Sequence, residues 1–421
     1  MSDIHLLTRR RPTTILAGAA LVVALGIGSH ARAETEPAPA PGEAAAARAS
    51  SRRLVAGSWK RSGDRYFAEL AGGASAELTL EPRLQEAAEE VLAAFAIPYG
   101  AAVVLSVPDG RVLALVGRSS VAPALGPEEL ALQPWAPAAS VFKVVSAAAL
   151  VAEGGLGADS RTCYHGGVSA VLPDNLVDLP RLDRTCGTLA YGVGKSQNAI
   201  IAKLAARHLT PEKLERTARA LGFDQEIPFD LPVEPSTLDV PADPLEFART
   251  AAGFWHSTLS PMHGALLAAA VASGGEMPAP RLIERATGSG HQPLAIPVTP
   301  PRAVLAPAVA REVGRMMELT TRIGTAKGTF RDRRGRPVLP VSVAGKTGTL
   351  SAETDKGHVG YSWFVGYAPT DRPQIAFAVV LGNPPIWRIK ATYLARRLIA
   401  ETFSPPARDR GTPSLVASAR R

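Results

Sequence analysis

A chain of 421 residues with 46% apolar and 20% charged residues can build a sizeable core, which excludes a disordered, collagen-like or polytopic membrane protein. The formal charge of +8 would suit a polyanionic partner. Part of it, however, comes from Arg9, Arg10, Arg11 and Arg32 against Asp3, and residues 34–421 hold 42 Lys and Arg against 37 Asp and Glu, a mild excess of +5. No RNA-binding, zinc-finger or basic-zipper pattern accompanies that excess, so nucleic acid is not expected as a partner.

The chain opens on a basic segment ending at Arg11, an apolar stretch from Pro12 to Ser29, and Ala31-Arg32-Ala33 as a small-residue cleavage site. This is the pattern of an export signal. The apolar stretch is also near the lower limit of about 17 residues for a bilayer span, so residues 1–33 read as a signal peptide or a membrane anchor. The expected address is the periplasm or cell envelope, with a membrane touched only through such an anchor. Residues 34–62, rich in Pro and Ala, read as a semi-rigid linker. The tail 404–421 has the composition of a disordered segment, which leaves 63–403 as the folded domain.

Within that domain Pro82 introduces a helical pattern over Arg83–Phe95, and two apolar runs, Ala101–Val107 and Arg111–Val116, flank Pro108-Asp109-Gly110 as a hairpin. Helical periodicity follows at Val141–Ala152, Asn198–His208, Pro211–Leu221, Pro261–Ala272 and Ala308–Arg322. Strands return at Val341–Ala344 and the Gly345–Thr349 segment, at Tyr361–Ala368 and at Gln374–Leu381, before an amphipathic helix at Trp387–Phe403. Strands at both ends with helices between predict an α+β fold: an antiparallel sheet of about five strands flanked by helices, its N-terminal hairpin joined to the C-terminal strands, with a second, mainly helical lobe. The two cysteines, Cys163 and Cys186, permit a disulfide in an exported chain. A zinc site is disfavoured, because two Cys without ligand-spaced His cannot complete a tetrahedron. No metal or cofactor is expected.

Three short motifs carry chemistry. Ser140 and Lys143 stand at i and i+3 at the start of an apolar helix, so the hydroxyl and the amine share a face. A serine becomes a nucleophile when a base takes its proton, and a lysine can be that base when burial or a second cation depresses its pKa. Taken alone, the pattern is better read as Ser140 capping a helix and Lys143 as a solvated side chain, since S-x-x-K arises by chance about once in a chain of this size. Ser196-Gln197-Asn198 and Lys346-Thr347-Gly348-Thr349 are also bland one at a time, as a helix cap and an edge strand. In the order S-x-x-K, S-x-N, K-T-G, at 140, 196 and 346, they match the motif set of the penicillin-recognising serine acyltransferases.

The chain resembles the transpeptidase domain of penicillin-binding proteins. The likeness extends to Leu78–Gln85, Ala101–Arg111, Ser196–Ala205, Leu259–His263, Gly324-Thr325-Ala326 and Tyr361–Tyr367. The resemblance implies a β-lactamase/transpeptidase-like fold and an acyl-enzyme on Ser140, with Lys143 as general base. It further implies Ser196 as proton relay to the leaving amine, Asn198 as holder of the acyl-side amide, and Lys346, Thr347 and Thr349 on the substrate carboxylate, with Gly348 letting the strand backbone come close to the ligand. The backbone N–H groups of Ser140 and Thr349 would form the oxyanion hole. The implied partners are peptidoglycan stem peptides and covalently bound β-lactams. The Cys163–Cys186 segment likewise resembles a disulfide loop of some members.

Look-alikes fail on spacing. Gly194-Lys195-Ser196 and Gly345-Lys346-Thr347 would need a glycine where Leu189 and Pro340 stand, so neither is a phosphate loop. His256 and His263 lack H-E-x-x-H, and there is no G-x-S-x-G elbow. Glu234 is followed by the wrong spacing for the water-activating E-x-x-L-N of class A β-lactamases. The leading expectation is an exported D,D-transpeptidase. The alternatives are a β-lactamase or D,D-carboxypeptidase using the same serine, and a non-catalytic sensor of β-lactams or muropeptides.

Overall fold

The computed structural model describes residues 54–354 and 357–403. The signal or anchor at 1–33, the linker as far as residue 53 and the tail 404–421 lie outside the described residues.

A five-stranded antiparallel sheet organises the molecule. Its strands are β1 (Tyr99–Ser106), β2 (Val112–Arg118), β3 (Ala344–Thr354), β4 (Gly357–Ala368) and β5 (Ile375–Asn383), in the spatial order β3-β4-β5-β1-β2. The closure anticipated from the sequence is the β5–β1 pairing, with Ile375 opposite Ser106 and Leu381 opposite Gly100. Both β1 and β5 are near-continuous apolar runs, as strands covered on both faces must be.

The covering helices are α1 (Pro82–Ala94), α2 (Lys143–Ala152), α3 (Leu189–Gly194), α4 (Asn198–His208), α5 (Pro211–Ala220), α6 (Pro244–Ala251), α7 (Pro261–Ala272), α8 (Pro307–Arg322) and α9 (Ala391–Phe403). α1 and α9 pack on one sheet face, where Leu92, Phe364, Phe377 and Leu398 share a core. α7 lies against the other face beside Val365, Ala378 and Val380. Every α7 residue from Pro261 to Val271 is buried, which explains its nearly uniform apolar composition: it runs between the sheet and the helical lobe and has no solvent side. Fully burying each large apolar side chain in these layers contributes about 1.5–3 kcal/mol before entropy is counted.

Two expectations need correcting. Residues 54–62, assigned above to the linker, are structured: Leu54 is buried and bridges Leu70, and Lys60–Ser62 pairs with Arg65–Leu70. The alternating burial of Arg65–Leu70 marks it as a strand with one face on the core and one toward solvent. With Ala74–Leu78, Ile283–Thr287 and Pro293–Leu294 these strands form a second sheet that the sequence reading missed, because Ile283 and Leu78 are joined only by tertiary pairing. Second, the last helix begins at Ala391 rather than Trp387, since Ser362 Oγ takes the Ala391 N–H at 3.0 Å and fixes the entry point.

The cysteines form a disulfide across the hairpin of Arg161–Tyr164 and Thr185–Thr188. Behind it Lys203, fully buried on α4, donates to the Cys163 carbonyl at 2.9 Å and to Asp183 at 2.6 Å. Asp183 also meets His165 Nδ1 at 2.6 Å. Burial alone would raise the Asp183 pKa, but the hydrogen bonds of His165 and Lys203 outweigh it and hold the carboxyl well below the usual range. The hairpin is thereby fastened to α4, whose first residue is Asn198.

Candidate active site

Ser140 lies on a single tight turn, Ala139–Phe142, that leads directly into α2. The turn is held in an uncommon shape: Ala139 has φ +49°, a left-handed conformation unfavourable for a residue with a Cβ. Gly253, itself at φ +85°, explains how it persists. A Cβ at Gly253 would sit 2.3 Å from the Ala139 carbonyl oxygen and 3.2 Å from Ser140 Cα, so the loop after α6 presses its bare backbone against the turn.

Lys143 is fully buried one turn on. Its Nζ reaches Ser140 Oγ at 2.7 Å, Asn198 Oδ1 at 2.8 Å and the Ala252 carbonyl. As an ammonium it donates all three bonds. As a neutral amine it keeps the two to Asn198 and Ala252 and accepts the proton of Ser140, which is what a general base requires. Burial, and secondarily the cationic Lys346, push the Lys143 pKa well below its ordinary value.

Lys346 enters on β3. It is also fully buried, and donates to Ser196 Oγ at 2.9 Å and to the Thr347 carbonyl at 2.8 Å. Burial brings its pKa down to about 7. Ser196, at φ +57°, precedes α4, and Asn198 at the start of that helix donates through Nδ2 to the Val168 carbonyl at 3.0 Å. Asn198 thus links the base, Lys143, to the disulfide-bearing hairpin.

The fold brings the three motifs to one cleft of about 720 Å³, lined by Ser140, Ser196, Asn198, Thr347, Gly348 and Thr349. Gly348 was expected to admit a ligand close to the strand. Its immediate neighbours are protein: a Cβ there would lie 2.9 Å from Trp363 Cβ and 3.2 Å from Val141 Cγ2, so the glycine lets β3 close on the nucleophile turn. Trp363 reinforces this contact by donating from Nε1 to the Pro137 carbonyl at 2.9 Å.

Other residues at the cleft carried no motif of their own. Thr325 meets Thr347 Oγ1 at 2.6 Å. Thr329 donates to Thr392 at 3.0 Å, and Val168, Phe254 and Lys390 complete the walls. Thr325 stood in a stretch singled out in the sequence, and Lys390 and Thr392 fell within the predicted last helix, but nothing local marked any of them as part of the site. The remaining candidates stay outside. Glu234 is exposed and His256 binds Glu246 at 3.1 Å. His263 is buried, lies 2.9 Å from the Leu221 carbonyl, and has its pKa lowered by burial to about 4.

Comparison with known proteins gives a consistent result. Residues 100–402 match the penicillin binding protein transpeptidase domain. Peptidoglycan D,D-transpeptidase PbpA of Mycobacterium tuberculosis is 28% identical over 366 residues, covering 79% of this chain and 72% of that protein. The probable peptidoglycan D,D-transpeptidase PbpC of Pseudomonas aeruginosa is 26% identical, covering 78% and 57%. Among solved structures, the imipenem acyl-enzyme complex of penicillin-binding protein A from M. tuberculosis superposes with a TM-score of 0.65 at 25% identity, over 78% of this chain and 80% of that one.

Proposed function

The chain belongs to the penicillin-binding-protein transpeptidase family, and from that premise we propose that it is a peptidoglycan D,D-transpeptidase working through an acyl-enzyme on Ser140. The observation that carries the assignment is the buried pair of lysines on two serines, Lys143 on Ser140 at 2.7 Å and Lys346 on Ser196 at 2.9 Å.

In the proposed cycle neutral Lys143 takes the Ser140 proton as Oγ attacks the carbonyl of a penultimate D-alanine. Charge that develops on the carbonyl oxygen is met by the backbone N–H groups of Ser140 and Thr349. Ser196, bonded to Lys346, passes a proton to the departing D-alanine amine, so the C–N bond breaks with a neutral leaving group. Asn198 holds the acyl-side amide, and Thr347 and Thr349 hold the terminal carboxylate. A second stem peptide then supplies the amine that attacks the ester, gives up its proton and frees Ser140. A β-lactam enters the first half of this cycle and remains as an ester on Ser140.

The substrate implies work in the cell envelope, and we assign residues 1–33 as the export signal or anchor that delivers the domain 63–403 there. Among the described residues no helix is long and apolar enough to cross a membrane. Glu234, exposed and not among the described residues lining the cleft, gives no support to a class A β-lactamase reading.

Labelling with a fluorescent penicillin tests the nucleophile: wild type labels stably and Ser140→Ala does not. Equal labelling of the two would remove Ser140 from the role, and rapid loss of label would point to a β-lactamase. Cross-linked product with an added amine, against release of D-alanine to water alone, separates transpeptidase from carboxypeptidase.

A further inference from the structure

Lys346 faces away from the site assigned to the substrate carboxylate. Residues directly opposed in an antiparallel pair share a sheet face. Thr347 opposes Phe364 and Thr349 opposes Ser362, whereas Lys346 opposes Val365. Phe364 belongs to the core beneath α1 and α9, and Ser362 Oγ accepts the Ala391 N–H at the start of α9. The hydroxyls of Thr347 and Thr349 therefore lie on the α9 side, while Lys346 extends to the opposite side, to Ser196. Its pKa near 7 leaves its charge incomplete above neutrality.

On the α9 side stands Lys390, the residue just before Ala391. Of all the described residues lining the cleft it is the single charged one. It is exposed and forms no ion pair with the described residues. Nor does it serve the helix: a cation at a helix N-terminus opposes the macrodipole, which favours anions there. An exposed lysine that stabilises neither a neighbour nor its own helix, in a cleft whose other described lining residues are uncharged, is placed for a ligand.

We propose that Lys390 is a specificity-determining residue that supplies the positive charge for the free terminal carboxylate of the acyl donor, beside the hydroxyls of Thr347 and Thr349. The inference rests on the acyl-transfer reading above and adds to it the group that selects an anionic peptide end over an amidated or esterified one. Lys390 takes no part in proton transfer, so its removal affects recognition and leaves the chemistry on Ser140 intact.

The test compares second-order acylation rates of the full chain with benzylpenicillin and with its methyl ester, which lacks the carboxylate charge. For Lys390→Gln we expect about a tenfold loss with the acid and an unchanged rate with the ester, as for one charged hydrogen bond removed. Lys390→Arg restores the preference for the acid, and added salt narrows it in wild type but not in Lys390→Gln. An acid-to-ester ratio the same in Lys390→Gln as in wild type overturns the proposal, whether both rates fall together through a structural effect or neither changes. Failure of the underlying reading looks different: wild type would then not be acylated at Ser140 by benzylpenicillin at all.

Discussion

Lys143 and Asn198 are joined by a 2.8 Å hydrogen bond between Nζ and Oδ1, and this bond ties the helix of the nucleophile to the helix of the S-x-N segment. Because Asn198 also donates to the Val168 carbonyl, one side chain sets the position of the base and of the cleft wall. Asn198→Ala leaves a buried lysine short of an acceptor, at a cost of about 1–3 kcal/mol. We expect acylation by a β-lactam to slow by about 5- to 100-fold, measured by stopped-flow fluorescence. Unchanged acylation would mean that Lys143 is oriented by Ser140 and Ala252 alone.

The Lys143–Lys346 relationship predicts a pH effect on acylation. Lys143 must be neutral to accept a proton, and the cation of Lys346 adds to burial in keeping it so. In Lys346→Met the rising limb of the acylation pH profile should move to higher pH, because the repelling charge is gone. A limb that stays in place or moves down would contradict this coupling.

Stability follows from the same burial with a definite sign. The Lys346 pKa falls from an ordinary 10.5 to about 7 in the folded chain. Between these values the unfolded chain binds more protons, so stability rises with pH, with a limiting slope of about 1.4 kcal/mol per pH unit for one group. The thermal midpoint should climb between pH 7 and pH 9, and climb less in Lys346→Met, as read by differential scanning calorimetry.

Gly253→Ala tests the pressure on the nucleophile turn. Its Cβ would collide with the Ala139 carbonyl, 2.3 Å away, at a backbone φ of +85°. Strain of this kind costs about 1–3 kcal/mol before the collision is added. We expect a lowered melting temperature together with slower acylation, since Ser140 is the next residue. A variant that is destabilised but acylates normally would show that the turn does not position Ser140.

Lys203→Met probes the clamp behind the disulfide. It leaves Asp183 without its buried partner, and breaking such a pair from one side costs about 3–5 kcal/mol. The Lys203→Met, Asp183→Leu double variant should recover part of that loss in urea unfolding. No recovery would mean that the pair contributes through the Cys163 carbonyl rather than through its charge.

Much of the fold and site was legible in the chain because its signals are short-range. Proline and apolar spacing located α4 and α7 to the residue. The motif order placed Ser140, Lys143, Ser196, Asn198 and Lys346 together before any geometry was known. The short helices escaped notice: α3 carries two glycines in six residues, which dilutes its pattern.

By itself the sequence determined the family, the sheet with its N-terminal hairpin joined to the last strands, and the chemical types available to the site, since residue identity and periodicity are local properties. Tertiary structure alone decided that both lysines are stripped of water, because desolvation depends on what every other segment packs against them. It also decided that Gly253 braces the turn of Ser140, and that Lys390, from a stretch without any motif, stands at the cleft once α9 is docked against Ser362. Such relationships join residues far apart in the chain, and no local pattern encodes them.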